Sequence, residues 1–200
     1  MENLETVKYV VKQGDWFTKL DLQDAHLTVP IRQECQKFLC ISWKKKLFKF
    51  KCLPFGLSPA PRCFTKIMKP VIAGLRRLGV RLIVYLDDFL IMHESEQGAN
   101  EHFKLVSNVL QNLGFLINWD KSTAVSCQSI EFLGMLISSE GMSFTLPSEK
   151  VHRVHSIGRG LLKSKLPSLR DLSIYLGHLA WAIQAVPYTQ AHYRLSQNFF

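Results

Sequence analysis

Two hundred residues, 47% of them hydrophobic, are enough for one sizeable domain or two small ones with a real core. A formal net charge of +9 points to an anionic partner, and no apolar run approaches the roughly 18 residues of a membrane span, so no membrane partner is expected. Five cysteines (35, 40, 52, 63 and 127) without a C-x-x-C exclude a disulfide framework or zinc ribbon. Met1-Glu2-Asn3-Leu4-Glu5 is no secretory signal, so reduced thiols in a cytoplasmic or nuclear, non-secreted setting are expected.

In chain order, Leu4, Val7 and Val11 share one side of a short amphipathic helix over 4–12, ended by Gly14-Asp15. A strand over 16–22 follows, carrying Asp21 and passing into a polar loop with Asp24 and His26. Segments 37–43 and 46–52 predict a hairpin turning at Lys44-Lys45, a half-buried ribbon with one apolar and one basic face. Leu53-Pro54-Phe55-Gly56-Leu57 leads into a helix over 59–78, with Ser58 as N-cap and Pro59 in the first position. Phe64, Ile67, Met68, Val71 and Leu75 are spaced as its core face. Arg81–Met92 reads as two strands, 81–86 and 89–93, with Asp87-Asp88 at the turn between them. A helix over 94–113 presents Phe103, Val106, Val109, Leu110 and Leu113, and Gly114 closes it. Ile130–Ile137 and Met142–Leu146 predict another hairpin, around Ser139-Glu140-Gly141. From Pro147 the pattern is helical, over 147–163 and 167–185, ending at Pro187. The histidines there (152, 155, 178 and 192) have no metal-ligand spacing and read as ordinary.

Charge is unevenly spread. Residues 32–69 carry ten Lys and Arg against one acid, Glu34, and residues 141–200 carry seven against two, while 87–102 is acidic. Basic flanks around an acidic centre suit a groove that grips phosphate backbone and concentrates cations at one point. Within that centre, Asp87 and Asp88 interrupt a strongly apolar, β-branched run. Two adjacent like charges in such a setting call for a divalent cation, although a polar hairpin tip is the plainer alternative. Asp21, in a matching strand-end setting, shifts the balance. Carboxylates from two strands suit Mg²⁺ or Mn²⁺, and a two-ion carboxylate site is the apparatus of in-line phosphoryl transfer to a hydroxyl.

These segments resemble the reverse transcriptases. Tyr85-Leu86-Asp87-Asp88 resembles their Y-x-D-D box, and Leu20-Asp21-Leu22-Gln23-Asp24-Ala25 the strand bearing their first catalytic aspartate. Leu53–Pro61 resembles the loop and helix beneath template and nucleotide, and three motifs in the right order are far more specific than one. The run Lys37–Phe64 and the tail around Ala185-Val186-Pro187-Tyr188 look most like DIRS-type or gypsy-like retrotransposons. The resemblance implies an α+β fold: a polymerase palm, in which helices pack on one face of an antiparallel sheet, over 1–146, then the start of a helical thumb over 147–200. The fingers are expected to be incomplete, and the RNase H domain common in such elements is not expected.

The function implied is RNA-directed DNA synthesis, adding dNTPs to a primer 3′-OH on an RNA or DNA template, with two Mg²⁺ or Mn²⁺ ions. Asp21, Asp87 and Asp88 would be catalytic and hold the ions with the backbone carbonyl of Leu22. Asp24, Ala25, His26, Phe55, Gly56, Tyr85 and Lys121 would line the nucleotide site, Lys121 as a general acid for pyrophosphate from the Gly114-Phe115…Lys121-Ser122 segment. Phe132-Leu133-Gly134 resembles the primer grip, and Arg153, Arg159, Lys163 and Lys165 would touch phosphate. His26 departs from the family, where Tyr or Phe mostly excludes the ribose 2′-OH. Two rivals stand beside this reading. One is a catalytically inactive remnant that binds nucleic acid. The other is an RNA-dependent RNA polymerase, which Tyr85-Leu86 in place of a G-D-D box disfavours.

Overall fold

Apolar side chains organise the central sheet, in continuous buried runs on two strands and in partial alternation on the third. In the computed structural model, which describes residues 2–164, 166–186 and 188–197 except the side chains of 192, 195 and 196, they lie on strands β1 (Trp16–Gln23), β4 (Arg81–Tyr85) and β5 (Asp88–His93). Lys165, Pro187 and the side chain of His192 lie outside the described residues. Ahead of β1 stands α1 (Leu4–Val10), closed at its start by a reciprocal capping box between Asn3 and Thr6. Between β1 and β4 come α2 (Gln33–Gln36), the ribbon β2 (Cys40–Trp43) and β3 (Lys46–Lys49), and α3 (Ala60–Arg77). After β5 follow α4 (Glu96–Asn112), β6 (Leu116–Ile117) and β7 (Thr123–Cys127).

The sheet runs β4-β5-β1-β6, with β7 also pairing β1, and every pairing is antiparallel. On one face, Leu20, Leu22, Leu82, Val84, Phe89 and Ile91 pack with Phe64, Met68 and Leu75 of α3 and Phe103, Val106 and Leu110 of α4 in one buried core. That is a sheet with helices on one face, as expected. At the far end, Asp15 is almost wholly buried and takes a two-pronged ion pair from Arg81, at 2.6 and 2.8 Å. The pair ties the entry of β1 to the entry of β4.

The chain divides into two compact units, Met1–Gln128 and Ser129–Phe200; position 146, the expected palm limit, falls within the second. That unit holds a three-stranded antiparallel sheet, β8 (Ser129–Phe132), β9 (Met135–Ser138) and β10 (Ser143–Thr145). The helices α5 (Ser148–Lys163), α6 (Leu169–Ala182) and α7 (Thr189–Gln197) follow, α6 packing with both of the others.

Several local expectations are corrected. Pro59, not Ser58, occupies the N-cap of α3, with no side-chain cap bond, and Ile67 is 46% exposed rather than core. Leu113 is 54% exposed, because α4 has already ended at Asn112. The ribbon is shorter than expected and exposed along both strands instead of half-buried. The segment 130–137, expected as one arm of a hairpin with a turn at Phe132-Leu133-Gly134, is two strands that pair with each other, because Leu133 and Gly134 both adopt positive φ (47° and 78°) and reverse the chain. β7 and α7 are additional elements that short polar-interrupted runs did not reveal.

Candidate active site

Backbone register assembles the carboxylates. β1 and β5 pair so that Asp21 stands directly opposite Asp88, the last pair of their ladder. Side chains directly opposite in an antiparallel pair lie about 4.5–5.5 Å apart at Cβ, so two acids distant in sequence become neighbours on one face. Asp87 comes from the turn joining β4 to β5. That turn consists of Leu86 and Asp87, closed by Tyr85 opposite Asp88, so Asp88 belongs to the strand and not, as expected, to the turn. Leu86 has φ +56°, the left-handed region that a γ-branched side chain seldom enters. The main-chain N–H of Leu22 donates to the Asp87 carbonyl (3.0 Å), binding the turn to β1.

Electrostatics report the crowding. The Asp88 carboxyl is pushed up to about 6, first by burial, then by the charges of Asp21 and Asp87 and by its hydrogen bond to Asp21, with Lys19 pulling the other way. Without a cation, Asp88 therefore keeps its proton well above the usual carboxylate range and gives it up only as pH rises through about 6. The donor set is all hard oxygen, the kind Mg²⁺ and Mn²⁺ prefer. Among the described residues, no group of three or more His, Cys, Asp or Glu side chains is gathered so as to hold an ion. The arrangement is a pair with a third carboxylate at the adjoining turn.

A strongly polar cleft of about 440 Å³ opens beside them, lined by Asp21, Asp87, Asp24, Phe55, Lys121 and Asp120, with Leu22, Gln23 and Asn118. It unites many of the expected residues. Asp24 sits at φ +50° just before a 3₁₀ turn, Ala25–Thr28, and makes no capping bond, so its carboxylate is left for the cleft. Phe55 is 59% exposed. Gly56, at φ +81°, turns the chain beside it. Ala25 is buried in the core, and Tyr85 is half-buried; neither lines the cleft. His26 is 5% exposed, its ring stacked on Phe64 (4.8 Å) and tilted against Phe55 (5.3 Å), with Nδ1 buried and unpartnered. It thus touches the cleft through Phe55 and not with its own edge.

The turn 118–122 contributes residues that sequence reasoning did not single out. Asn118 N–H donates to the Asp21 carbonyl (2.9 Å), while the Ser122 hydroxyl accepts from Asp21 N–H (3.0 Å) and donates to the Asn118 carbonyl (2.7 Å). Both main-chain groups of Asp21 are therefore held by the turn that also brings Asp120 and Lys121 to the cleft. The available signal was the dense polar run Asn118–Ser122 after the apolar Phe115–Ile117. In the second unit, Phe132 is buried, and Leu133 and Gly134 form the β8–β9 turn. The Gly134 carbonyl accepts from Lys150 Nζ (2.9 Å), whose charge lies 4.1 Å above the Trp181 ring. On α5, Arg153, Arg159 and Lys163 are exposed.

Acids at the tip of a β-hairpin, on an antiparallel sheet backed by helices, define a polymerase palm. The model of the reverse transcriptase (RNA-dependent DNA polymerase) family matches residues 2–137, and the chain belongs to that family. It is 26% identical over 201 aligned positions to Protein P of Duck hepatitis B virus (strain China), covering 99% of this chain and 25% of that protein. It is 29% identical to the Transposon Tf2-3 polyprotein of Schizosaccharomyces pombe, over 86% of this chain and 12% of that one. The chain thus spans a quarter or less of these curated relatives. Its fold resembles the foamy viral protease-reverse transcriptase in complex with RNA/DNA hybrid, with TM-score 0.73 and 20% identity, over 90% of this chain and 23% of that one.

Proposed function

We propose that this chain is the catalytic part of an RNA-directed DNA polymerase of a retrotransposon, adding deoxynucleotides to a primer 3′-OH on an RNA or DNA template. The observation that carries the reading is the register of β1 and β5, which pairs Asp21 with Asp88 beside Asp87 at the mouth of a polar cleft. The family match supports the reaction class, the Tf2-3 similarity supports the retrotransposon setting, and the nucleic-acid complex of the structural relative supports the partner.

Asp21, Asp87 and Asp88, with the Leu22 carbonyl, are the residues that would hold divalent cations. When bound, two such ions activate the attacking hydroxyl and stabilise the leaving pyrophosphate. The protein's own work is positioning. The 118–122 turn fixes the backbone of Asp21, Leu22 N–H fixes the catalytic turn, and the Lys121 ammonium supplies a proton donor at the cleft. The five cysteines are free, which suits a cytoplasmic or nuclear site of action. Among the described residues no helix is long and apolar enough to cross a membrane.

The test is primer extension on an RNA template with dNTPs and Mg²⁺, comparing wild type with Asp87→Asn/Asp88→Asn. Extension by wild type alone is expected, with the variant reduced by at least about a thousandfold, the scale on which a displaced charge-stabilising group acts. Equal extension by both would remove Asp87 and Asp88 from the chemistry, and none by either with duplex binding intact replaces the enzyme by a binding remnant. The contact of His26 with Phe55 also connects it to sugar choice. His26→Tyr is expected to raise the dNTP-over-rNTP incorporation ratio, and identical ratios would remove His26 from that role.

A further inference from the structure

β4, the strand that leads into the Leu86-Asp87 turn, stands at the end of the sheet order β4-β5-β1-β6. Among the described residues no strand lies beyond it. In an antiparallel ladder alternate residues turn both main-chain groups away from their partner strand. On β4 these are Leu82 and Val84, and edge groups of that kind must meet water or be covered. Two side chains reach them here. The Leu82 carbonyl accepts from the Arg76 guanidinium at 2.9 Å, and Val84 N–H donates to the Glu2 carboxylate at 2.8 Å. Arg76 and Glu2 also form an ion pair with each other.

The arrangement copies a peptide unit. In a parallel ladder, one residue donates to a carbonyl of the neighbouring strand and accepts from the N–H two residues further on. The guanidinium and the carboxylate do the same for Leu82 and Val84, straddling Ile83. Both side chains come from fixed supports. Glu2 immediately precedes the Asn3–Thr6 capping box of α1, and Arg76 lies in the last turn of α3, where a cation meets the negative end of the helix dipole. Val84 is 6% exposed, so losing the Glu2 carboxylate would strand its N–H away from most solvent.

The contact lies close to the chemistry. Between Val84 and Asp87 stands Leu86 with φ +56°, a conformation that persists only where the surroundings hold it. The ladder of β5 with β1 and the bond from Leu22 N–H to the Asp87 carbonyl hold the hairpin on its inner side. Glu2 and Arg76 hold it on the outer side.

We propose that Glu2 and Arg76 together act as a surrogate strand on the outer edge of β4 and are positioning residues for Asp87 and Asp88. This rests on the polymerase reading above and deepens it by adding two residues that do not line the cleft.

Amide exchange and single-nucleotide primer extension, read on the same variants, test it. In Glu2→Ala, exchange at Val84 is expected to quicken about tenfold or more, the scale of one hydrogen bond to a charged group. Well below the melting transition, kcat for dNTP addition is expected to fall about tenfold, with KM for dNTP within about twofold, because a small displacement of reacting groups acts on the rate. Glu2→Gln keeps an acceptor for Val84 N–H and is expected to retain kcat within about threefold. Glu2→Arg/Arg76→Glu restores the ion pair but sets donor against donor at Val84 and acceptor against acceptor at Leu82, so neither exchange nor kcat is expected to recover. Recovery of both in that exchanged pair overturns the surrogate strand and leaves a simple tie between the chain ahead of α1 and α3. Unchanged exchange at Val84 in Glu2→Ala overturns it too, and faster exchange with kcat intact overturns the positioning role. If wild type extends no primer, the polymerase reading fails, and the Mg²⁺-induced rise in Tm then decides. A rise that is smaller in Glu2→Ala than in wild type keeps the positioning of the carboxylates, while an equal rise in both, or none, removes it.

Discussion

Asp88 occupies a strand position where burial and two neighbouring carboxylates oppose its charge, and its proton affinity records this. Its carboxyl is raised to about 6 from an ordinary 3.8, so between those values the folded chain binds more protons than the unfolded one. The sign follows. In metal-free buffer the Asp88 contribution is harmless below about pH 4, becomes progressively destabilising as pH rises towards 6, and stays so above it. Asn cannot ionise, so Asp88→Asn is expected to match wild type near pH 4 and to be more stable by about 1–2 kcal/mol near pH 8, after allowance for solvent screening. Urea unfolding at the two pH values in EDTA measures it, and a constant difference across pH would mean that Asp88 does not titrate as described. A residue that weakens the fold while standing opposite Asp21, which lines the cleft, is a common signature of a site shaped for chemistry.

At the level of elements, the turn between β4 and β5 stores the strain that sets Asp87 beside Asp21. Leu86 at φ +56° lies where a side chain meets its own backbone, at a cost on the order of 1–3 kcal/mol. Leu86→Val adds branching at Cβ and is expected to destabilise by about 1–2 kcal/mol, while Leu86→Gly is expected to be neutral or stabilising. Thermal melts of the two variants decide it, and the opposite ranking would show that the turn does not keep this backbone. The neighbouring motifs were legible to different degrees. Asp21, Asp87 and Asp88 stood out because acids interrupt apolar strands. The ribbon's exposure did not, because a pattern of alternating residues cannot say whether a second layer covers it.

For the whole molecule, charge and cation binding act together. A chain of net charge +9 that concentrates its acids at one cleft should bind divalent cations there despite its overall sign. A cation that binds only the folded state stabilises it by about 2.7 kcal/mol when present at a hundredfold its dissociation constant. Mg²⁺ or Mn²⁺ is therefore expected to raise the Tm of wild type, and Asp21→Asn/Asp88→Asn to abolish that rise. An equal rise in both would place the cations elsewhere.

What the sequence alone determined is the local chemistry: the acids in their apolar settings, the basic flanks, the helical and alternating periods and the order of the motifs. Those are properties of neighbours along the chain, and a resemblance could be recognised from them. Only the tertiary structure decided that Asp21 faces Asp88, that Ser122 and Asn118 hold the Asp21 backbone, that His26 turns inward on Phe64, and that the ribbon stands bare. Each of these depends on strand register or on the packing of residues distant in sequence. A one-residue slip of β1 against β5 would turn Asp21 to the opposite face, and no local pattern excludes that slip until the two strands are paired over one core.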